Sequence, residues 1–429
     1  MTPLAGAGVS VLLLCGLLVL RIPMLVSVAS AVFFNYYFSN AWMMTLPQTM
    51  MSGLGRFVLI ALPLFVLAGG LMNAGGISGR LFEFARAIVG SLRGGLAHVN
   101  VMTSMFFGGM IGSSTADLAG TGSIVIPEMQ KNGYPADFSA ALTASSSGIG
   151  PMIPPSSPMI LYSAVTGVSL GALFLAGVIP GLLLALSQML IVSYLARKRG
   201  WLPYASFSMD EVFRTGRRAL LSFGMPLIIV GGLVLGVFTP SEAGAFAVVY
   251  ALVLAMFVHR ALDLKGLFRV LVNAVQMSGE LLVIVGLSFA LGAGLSNAHV
   301  PDFLVKLIDV MVFYDSDFLR ILALVILAIL AGMILDPLIP VLLPIILPTL
   351  IAYGIDLVHF GVLMVLAVVI GQVTPPMAIA LIIAGRIAKV DQIQVMRANA
   401  PFFWGIVVFL IILISVPAIA TWLPHYMRN

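Results

Sequence analysis

The sequence predicts an all-α polytopic membrane protein with about eleven spans and two re-entrant helical hairpins. Of its 429 residues, 61% are hydrophobic and only 9% are charged, and the mean hydropathy is +1.14. A soluble protein carries about 25% charged residues, so this chain lacks the charge to cover a water-facing surface. Its long apolar runs, such as 182–191 and 321–330, favour helices over the ~10-residue alternating strands of a membrane barrel.

Two apolar segments long enough to cross a membrane contain clusters of helix-breaking residues. Residues 148–158 include four prolines and two glycines, and a counterpart follows at 371–376. Proline removes a backbone donor, and glycine frees the backbone. A break deep in a bilayer leaves N–H and C=O groups that each cost several kcal/mol unless protein, water or an ion satisfies them. One such break in each half is typical of the sites of a secondary transporter.

Two further apolar segments are predicted to form re-entrant hairpins with polar tips. Residues 94–125 are interrupted by glycines and by the polar run 113–117. Residues 319–348 are interrupted by Gly332, Asp336 and several prolines. Such irregular backbone is tolerated at membrane depth only where protein or a cavity surrounds it.

A shift of 221 residues relates the two halves of the chain. It superposes five pairs of identical helix-breaking residues: Pro127 on Pro348, Gly133 on Gly354, Gly150 on Gly371, Pro154 on Pro375 and Pro155 on Pro376. Because these matches fall within 29 positions, we interpret them as an internal duplication.

Basic residues predict the orientation in the membrane. With both hairpins re-entrant and the loop 74–93 in the cytoplasm, 17 of the 21 lysines and arginines, Arg21 among them, lie inside, as the positive-inside bias requires. The hairpins then enter from opposite sides, so the two halves are inverted. Both termini lie outside, as does an acidic loop that carries Asp302, Asp309, Asp315 and Asp317.

Two other surface features follow from this topology. Aromatic residues at 33–42, ending with Trp42, fit an interfacial belt. The basic segment 197–218 divides the halves. It either anchors the topology, which we favour, or binds anionic membrane lipid.

The hairpin tips and helix breaks supply oxygen ligands for a small hard cation. Ser113, Ser114 and Thr115 offer hydroxyls beside the carbonyls of 147–155. The second half offers its equivalent donors at Gly332, Asp336, Gly371 and Thr374. Two Na⁺ sites follow as a hypothesis. Alternatively, these hydroxyls bond back to the preceding helical turn and fill small-residue packing.

Acidic residues and a helix start indicate the substrate. Asp117 and Asp336 lie at the hairpin breaks, where a carboxylate is a functional candidate or caps a half-helix. A half-helix that begins at Ser156-Ser157-Pro158 attracts a carboxylate through its N–H groups and dipole. An anionic substrate is therefore favoured. Glu242 is expected to cap a helix, and Glu280 fits a scaffold contact as well as a transport role.

Several classes of function are disfavoured. The single cysteine, Cys15, rules out an internal disulfide. The net charge of +5 is modest, so nucleic acid is not an expected partner. No Walker motif is present, which disfavours direct ATP coupling. The run 145–148 suggests a membrane serine hydrolase, but no GxSxG pattern accompanies it.

The motifs together resemble a known family. They are 112–117 (GSSTAD), 126–134, 149–156 (IGPMIPPS), 335–337, 359–361 and 371–376 (GQVTPP). They are similar to the large membrane subunit of tripartite ATP-independent periplasmic (TRAP) transporters. The resemblance implies an elevator-type, Na⁺-coupled importer in the bacterial inner membrane. It also implies a small four-helix membrane subunit and a periplasmic binding protein that delivers an organic anion, such as sialic acid or a C4-dicarboxylate. The alternative is a stand-alone sodium/anion exchanger.

The resemblance also assigns site residues. The family's sodium sites correspond by motif to Ser113, Ser114, Gly150, Ile153 and Pro155, and to Gly332, Gly371, Thr374 and Met377. We place substrate contacts at Thr115, Asp117, Ser156, Ser157 and Asp336.

The predicted domains alternate between a scaffold and a moving transport domain. The scaffold comprises 1–73 and 171–296, and the transport domain comprises a first repeat at 74–170 and a second at 297–400. Residues 401–429 form a closing span.

Overall fold

The computed structural model describes residues 3–20, 22–38, 43–311 and 316–428, and over these ranges the chain is predominantly helical. The extended pairing in this part is one isolated antiparallel bridge between Arg93 and Pro203. Arg21, Trp42 and Asp315, which the topology prediction uses, lie outside the described residues.

The first half forms a series of helices that leads into the basic linker. They are α1 (Pro3–Val19), α2 (Met24–Phe38), α3 (Thr45–Leu54), α4 (Ala61–Ala74), α5 (Ile77–Val89), α6 (Gly95–Ile111), α7 (Ser114–Asp117), α8 (Ser123–Lys131), α9 (Ala136–Ser147), α10 (Ser157–Thr166) and α11 (Leu170–Arg199). A 3₁₀ turn, Phe57–Ile60, leads into α4, and a π turn, Leu118–Gly122, joins α7 to α8.

The second half begins after the linker. Its helices are α12 (Met209–Val234), α13 (Pro240–Val253), α14 (Leu264–Asn297), α15 (Val300–Met311), α16 (Asp317–Gly332), α17 (Leu338–Ala352), α18 (Leu357–Gln372), α19 (Ile379–Ala388), α20 (Gln392–Ser415) and α21 (Ala418–Arg428).

Apolar helices confirm a multi-pass membrane protein. In the described part of the chain, six helical segments are long and apolar enough to cross a membrane: Phe57–Ala74, Leu170–Arg199, Met209–Val234, Pro240–Val258, Leu264–Asn297 and Gln392–Ser415. Shorter apolar helices include α6, α17 and α18, which begin or end at the predicted breaks.

Helices stop where the sequence places its breaks. The first hairpin turns at Gly112, whose φ is +62°, a left-handed conformation that glycine adopts without strain. The second hairpin breaks between Gly332 and Leu338. The two broken spans separate α9 from α10 and α18 from α19. Helices are therefore interrupted at both predicted breaks and at both predicted hairpin tips, whereas Pro344, one of the prolines predicted to interrupt the second hairpin, lies inside α17.

Helix starts follow the 221-residue shift. The starts of α9 and α18 are 221 residues apart, and the starts of α10 and α19, and of α11 and α20, are each 222 apart. The Gly and Pro matches are thus accompanied by matching helix boundaries.

Two predicted loops are wrong, because each contains a helix. Residues 77–89, inside the predicted loop 74–93, form α5. Residues 300–311, inside the predicted acidic loop, form α15, and Asp317 begins α16. The loop prediction rested on charge, but α5 is amphipathic: Leu81, Phe82 and Ala85 are buried between charged residues. A one-sided apolar stripe of this kind stabilises a helix despite its charges.

The broken helices occupy the centre of the molecule. Every residue from Phe138 to Ser147 of α9 and from His359 to Gly371 of α18 is buried. Helices buried on all sides have no solvent face, so their hydroxyl groups must find partners inside the protein.

The linker after α11 packs against the α8–α9 turn and the start of α9 through residues 199–205, which we call the clasp. Trp201 packs on Tyr134 and Phe138 with ring centroids 4.6 Å apart in each pair. The guanidinium of Arg199 lies 5.3 Å from the ring centroids of both Phe138 and Trp201.

Hydrogen bonds extend the clasp to the α5–α6 connection. The N–H groups of Tyr204 and Ala205 both donate to Gly90 O, at 2.9 and 3.1 Å, and Gly94 N donates to Leu202 O at 3.3 Å. The Tyr204 hydroxyl donates to Glu128 Oε1 on α8 at 3.0 Å. Burial, and the neighbouring Glu128 carboxylate, raise the pKa of Tyr204, so the phenol stays protonated and remains a donor. The clasp therefore ties the α11–α12 connection to the α5–α6 connection.

We expect Trp201→Ala to loosen the clasp, because aromatic pairs contribute about 0.5–1.5 kcal/mol each beyond burial. The variant should unfold at a lower temperature in detergent and be cut faster by protease within 199–205. Leu202→Ala is the matched control, since this neighbouring side chain is 79% exposed. Equal protease sensitivity of the two variants would contradict the role of Trp201 in holding the clasp.

Candidate functional site

The tip of the first hairpin packs directly on the break between α9 and α10. A Cβ added to Gly108 would lie 2.5 Å from the Cα of Gly150, and a Cβ on Gly112 would collide with the carbonyl oxygen of Pro155. Only glycine permits this approach of two backbones. Three predicted ligand positions, Gly150, Pro155 and neighbouring Ser113, therefore meet at one place.

Hydroxyl groups surround this contact. Ser113 has an extended backbone and caps α7, its Oγ accepting from Ala116 N at 3.5 Å and lying 3.1 Å from Thr115 Oγ1. Ser114 Oγ is buried and has no hydrogen-bond partner among the described residues. Ile153 continues the break with an extended backbone. Ser113 Oγ therefore bonds to Thr115 and Ala116, which follow it, and not back to the preceding helical turn as the alternative interpretation expects, and Ser114 Oγ makes neither kind of bond.

The second hairpin meets the second break in the same manner. A Cβ on Gly371 would lie 2.6 Å from both the carbonyl carbon and the oxygen of Gly332. Met377 N donates to Met333 O at 3.4 Å, which ties the segment after the break to the hairpin. Thr374 Oγ1 donates to Ile370 O at 2.5 Å, which is the bond to the preceding helical turn that the alternative interpretation expects. A hydroxyl that donates once still has lone pairs for a ligand.

The two breaks also contact each other through their helices. Gly148, at the end of α9, lies against Val369 of α18 so closely that a Cβ would collide with the valine side chain. Gly148 lies two residues before Gly150, and Val369 lies two residues before Gly371. The structure therefore brings both halves of the candidate site together in the core.

The predicted substrate residues differ in their exposure. Thr115 and Ser157 are half-buried, whereas Ser156 is buried and caps α10, accepting from Met159 N at 3.4 Å and donating to Pro151 O at 2.5 Å. The expected helix start at Ser156 is confirmed. Two open surface cavities of about 290 and 490 Å³ lie elsewhere, at the α19–α20 turn and at the start of α14.

The two acidic residues are held inside the protein. Asp117 has no exposed surface, and its Oδ1 accepts from Thr121 Oγ1 at 2.5 Å. Asp336 is half-buried and accepts from Gln372 Nε2 at 3.5 Å. Pro337, not Asp336, occupies the capping position of α17, with no side-chain cap. The capping alternative for Asp336 is therefore not what the structure shows.

The donor set fits a sodium ion. Both breaks combine hydroxyl groups with backbone carbonyls, and oxygen ligands are those that hard cations prefer. Some of these carbonyls, such as Pro151 O and Ile370 O, already accept a hydrogen bond. The unpartnered Ser114 Oγ gives a specific reason to expect a ligand there, because buried polar groups are otherwise hydrogen-bonded.

A buried polar network beside the first hairpin was missed by sequence reasoning. Asn100 Nδ2 donates to Thr143 Oγ1 at 2.7 Å, and Ser146 Oγ donates to Asn100 Oδ1 at 3.1 Å and lies 3.0 Å from Ser104 Oγ. The available signal was the four-residue spacing of Asn100 and Ser104 within an apolar run, which places both on one helix face.

The remaining predicted acids have surface positions. Glu242 completes a capping box with Thr239, as expected, at the start of α13. Glu280 is exposed on α14, which leaves its role as a prediction.

Comparison with known proteins decides the family. A family model described as the DctM component of the tripartite ATP-independent periplasmic transporter matches residues 11–419. The chain belongs to this family. The sialic acid TRAP transporter large permease protein SiaM of Vibrio cholerae is 36% identical over 380 residues, which cover 88% of each protein. The C4-dicarboxylate large permease protein DctM of Pseudomonas aeruginosa is 34% identical over 374 residues, which cover 87% of each.

A solved structure shares the fold. The Alcanivorax borkumensis YdaH transporter covers 89% of each chain with a TM-score of 0.58 and 15% identity. Since the relatives are transporter permeases, the prediction that the chain is not an enzyme is confirmed, and the membrane-hydrolase alternative is excluded.

A pair of neighbouring glycines tests the packing of the first hairpin. We expect Gly108→Ala to lower the unfolding temperature in detergent, because overpacking costs about 1–3 kcal/mol and the backbone of Gly150 cannot move aside. Gly109→Ala is the control: its Cβ would lie 3.6 Å from the Ile153 side chain, an ordinary contact, and alanine is favoured in a helix by about 1 kcal/mol. Equal effects of both substitutions would show that the hairpin does not seat on the break.

Proposed function

We propose that this TRAP large subunit carries out sodium-coupled secondary active uptake of an organic anion across a bacterial inner membrane. The proposal rests on the close packing of each hairpin tip against one helix break: Gly108 packs against Gly150, and Gly332 packs against Gly371. Family membership supplies the transport class. The oxygen-rich, cation-free surroundings of the breaks support sodium as the coupling ion.

The chain's own residues would perform distinct tasks at the two sites. Ser113, Ser114, Gly150, Ile153 and Pro155 would hold one ion. Gly332, Gly371, Thr374 and Met377 would hold the other. Bound Na⁺ would supply positive charge at the tips, where the described side chains supply none.

The substrate class follows from the helix starts and from the relatives. The N-terminus of α10 lies at the break, and its helix dipole would favour an anion, although the N–H of Met159 is already bonded to Ser156 Oγ. Thr115, Ser157 and Asp336 are half-buried beside the breaks and remain our proposed substrate contacts. One relative is named as a sialic acid permease and the other as a C4-dicarboxylate permease, so both compounds are candidate substrates here.

We further propose an elevator mechanism with inverted repeats. The 221-residue relation of helix boundaries supports the duplication, and the basic residues support the inversion. The hairpins and broken helices would move as one body against α4 and α12–α14. Gly177 and Gly181 of α11 pack on Met152 and Ile153 of the break. We therefore assign α11 to the moving transport domain, whose boundary with the scaffold then lies in the basic linker and not at residue 171.

Partners complete the proposal. A tripartite family supports a separate small membrane subunit and a periplasmic binding protein that delivers the anion. The alternative, a stand-alone sodium/anion exchanger, needs neither partner.

Uptake into liposomes tests the proposal. The chain and its small membrane subunit are reconstituted, and candidate binding proteins loaded with labelled anion are added outside under an inward Na⁺ or K⁺ gradient. We expect uptake that requires Na⁺ and one binding protein. Thr374→Val should raise the Na⁺ concentration for half-maximal uptake about tenfold or more. Thr103→Val should not, since that buried hydroxyl donates only to Val99 O of its own helix.

The outcomes separate the alternatives. Uptake that is equal in Na⁺ and K⁺ would refute the sodium sites. Sodium-driven uptake without any binding protein would favour the stand-alone exchanger.

A further inference from the structure

An exposed carboxylate lies in the middle of a membrane-spanning helix. Glu280 is the seventeenth of the 34 residues of α14 and is exposed. At its usual rise per residue, α14 is about 50 Å long, against a hydrocarbon core of about 30 Å. A helix that crosses the core symmetrically therefore holds Glu280 near mid-depth, where a carboxylate that faces lipid is costly. Among the described residues, no Lys, Arg or His forms an ion pair with it.

Glu280 belongs to a row of exposed polar residues on one face of α14. Arg269, Asn273 and Gln276 precede it and are exposed. The four residues follow a 4-3-4 spacing, and exposed Val283 continues it three residues further on. Residues at this spacing line one side of a helix and meet a second helix that runs beside it. We call the four residues the polar stripe: Arg269, Asn273, Gln276 and Glu280.

The chain's own helices leave the polar stripe uncovered. α14 packs on α2, α3, α4 and α17, but in its first half the buried residues are only Gly266, Ala274 and Ser278. Ala274 and Ser278 lie on the side that faces away from the stripe. Exposed apolar side chains, Val272 and Met277, border the stripe. A face with a polar centre and apolar borders fits another transmembrane helix better than lipid chains, because polar residues between helices can hydrogen-bond to each other.

Charge selects among the helices that could cover the stripe. In a second copy of this chain, related by a two-fold axis along the membrane normal, each Glu280 would approach its own equivalent. Two carboxylates in contact disfavour each other's charged form. A helix that presents a basic side chain or another hydrogen-bond donor at mid-depth would satisfy the carboxylate instead. The partner is therefore a different polypeptide with a donor at that depth.

We propose that the polar stripe is the docking site of the small membrane subunit, one of whose transmembrane helices presents a cation or a hydrogen-bond donor to Glu280. The inference rests on the proposed function for the existence of this subunit, and it adds the surface that binds it. Because α14 belongs to the proposed scaffold, the small subunit would stay in place while the hairpins move.

Photocrosslinking tests which molecule faces the stripe. The full chain with p-benzoylphenylalanine in place of Gln276 is co-expressed with the small membrane subunit and irradiated in the membrane. We expect an adduct with the mass of the chain plus the small subunit. The same probe at Val275, which is 71% exposed but lies outside the stripe, should give several-fold less adduct.

Three outcomes of the crosslinking would overturn the proposal. An adduct with twice the mass of the chain would show that a second copy covers the stripe. The absence of any protein adduct at position 276 would show that lipid covers it. Equal yields of the small-subunit adduct at positions 275 and 276 would show that the stripe does not set the docking face.

Retention of the small subunit provides a second reading. When the complex is purified in mild detergent through a tag on the chain, Glu280→Leu and Gln276→Leu should each retain several-fold less small subunit. Val275→Leu should retain as much as the unmodified chain. The chain purified without the subunit should unfold at no lower temperature in Glu280→Leu, because leucine is favoured over a carboxylate against lipid or detergent. Lower retention then reflects a lost contact and not a misfolded chain.

Failure of the docking site can be distinguished from failure of the proposed function. If the unmodified chain retains the small subunit and both leucine variants retain it equally well, the docking site is wrong and the sodium-coupled function is unaffected. If the unmodified chain retains no small subunit, the partner in the proposed function is wrong, and the docking site is overturned with it.

Discussion

The structure depends on one constraint: a backbone that stops being helical at membrane depth must find partners inside the protein. Two helices stop in the core, and each stop is met by a hairpin that approaches closely enough to touch backbone to backbone. Glycine makes both approaches possible, at Gly108 and Gly150 and at Gly332 and Gly371. The two helices that stop, α9 and α18, are buried from Phe138 to Ser147 and from His359 to Gly371, so each break lies at the end of a buried segment.

This constraint explains why the site can combine backbone carbonyls with hydroxyl groups. A continuous helix uses its carbonyls internally, whereas a broken one presents them. In the first break Ile153 has an extended backbone, whereas in the second break Ala378 has a left-handed one. Serine and threonine at the tips supply further oxygens within the same enclosed space. The protein therefore holds oxygen ligands at a depth where the bilayer itself would offer a cation none.

The sequence predicted the parts of the fold that local chemistry decides. Glycine and proline clusters locate the breaks, because their effect on a helix does not depend on tertiary contacts. The residues around Gly150 and Gly371 were therefore identifiable, as was the helix start at Ser156. Helix α5 was not, because its charges resemble those of a loop until the buried side of Leu81 and Ala85 is seen. The network around Asn100 was not either, since its members lie on α6 and α9, about 43 residues apart, and only the packing of these helices brings them together.

The clasp has a kinematic consequence. Two connections run past the first hairpin, one at Gly90–Gly94 and one after α11, and hydrogen bonds fasten them side by side. A domain attached through one connection can rotate freely about it. A domain attached through two connections that are bonded to each other has fewer independent rotations. Gly94 and Gly200 both have left-handed backbone conformations, with φ of +73° and +69°, and they lie at the start of α6 and at the end of α11. Any displacement of the hairpin relative to α5 and α12 would therefore bend the chain at these two glycines together, as a paired hinge.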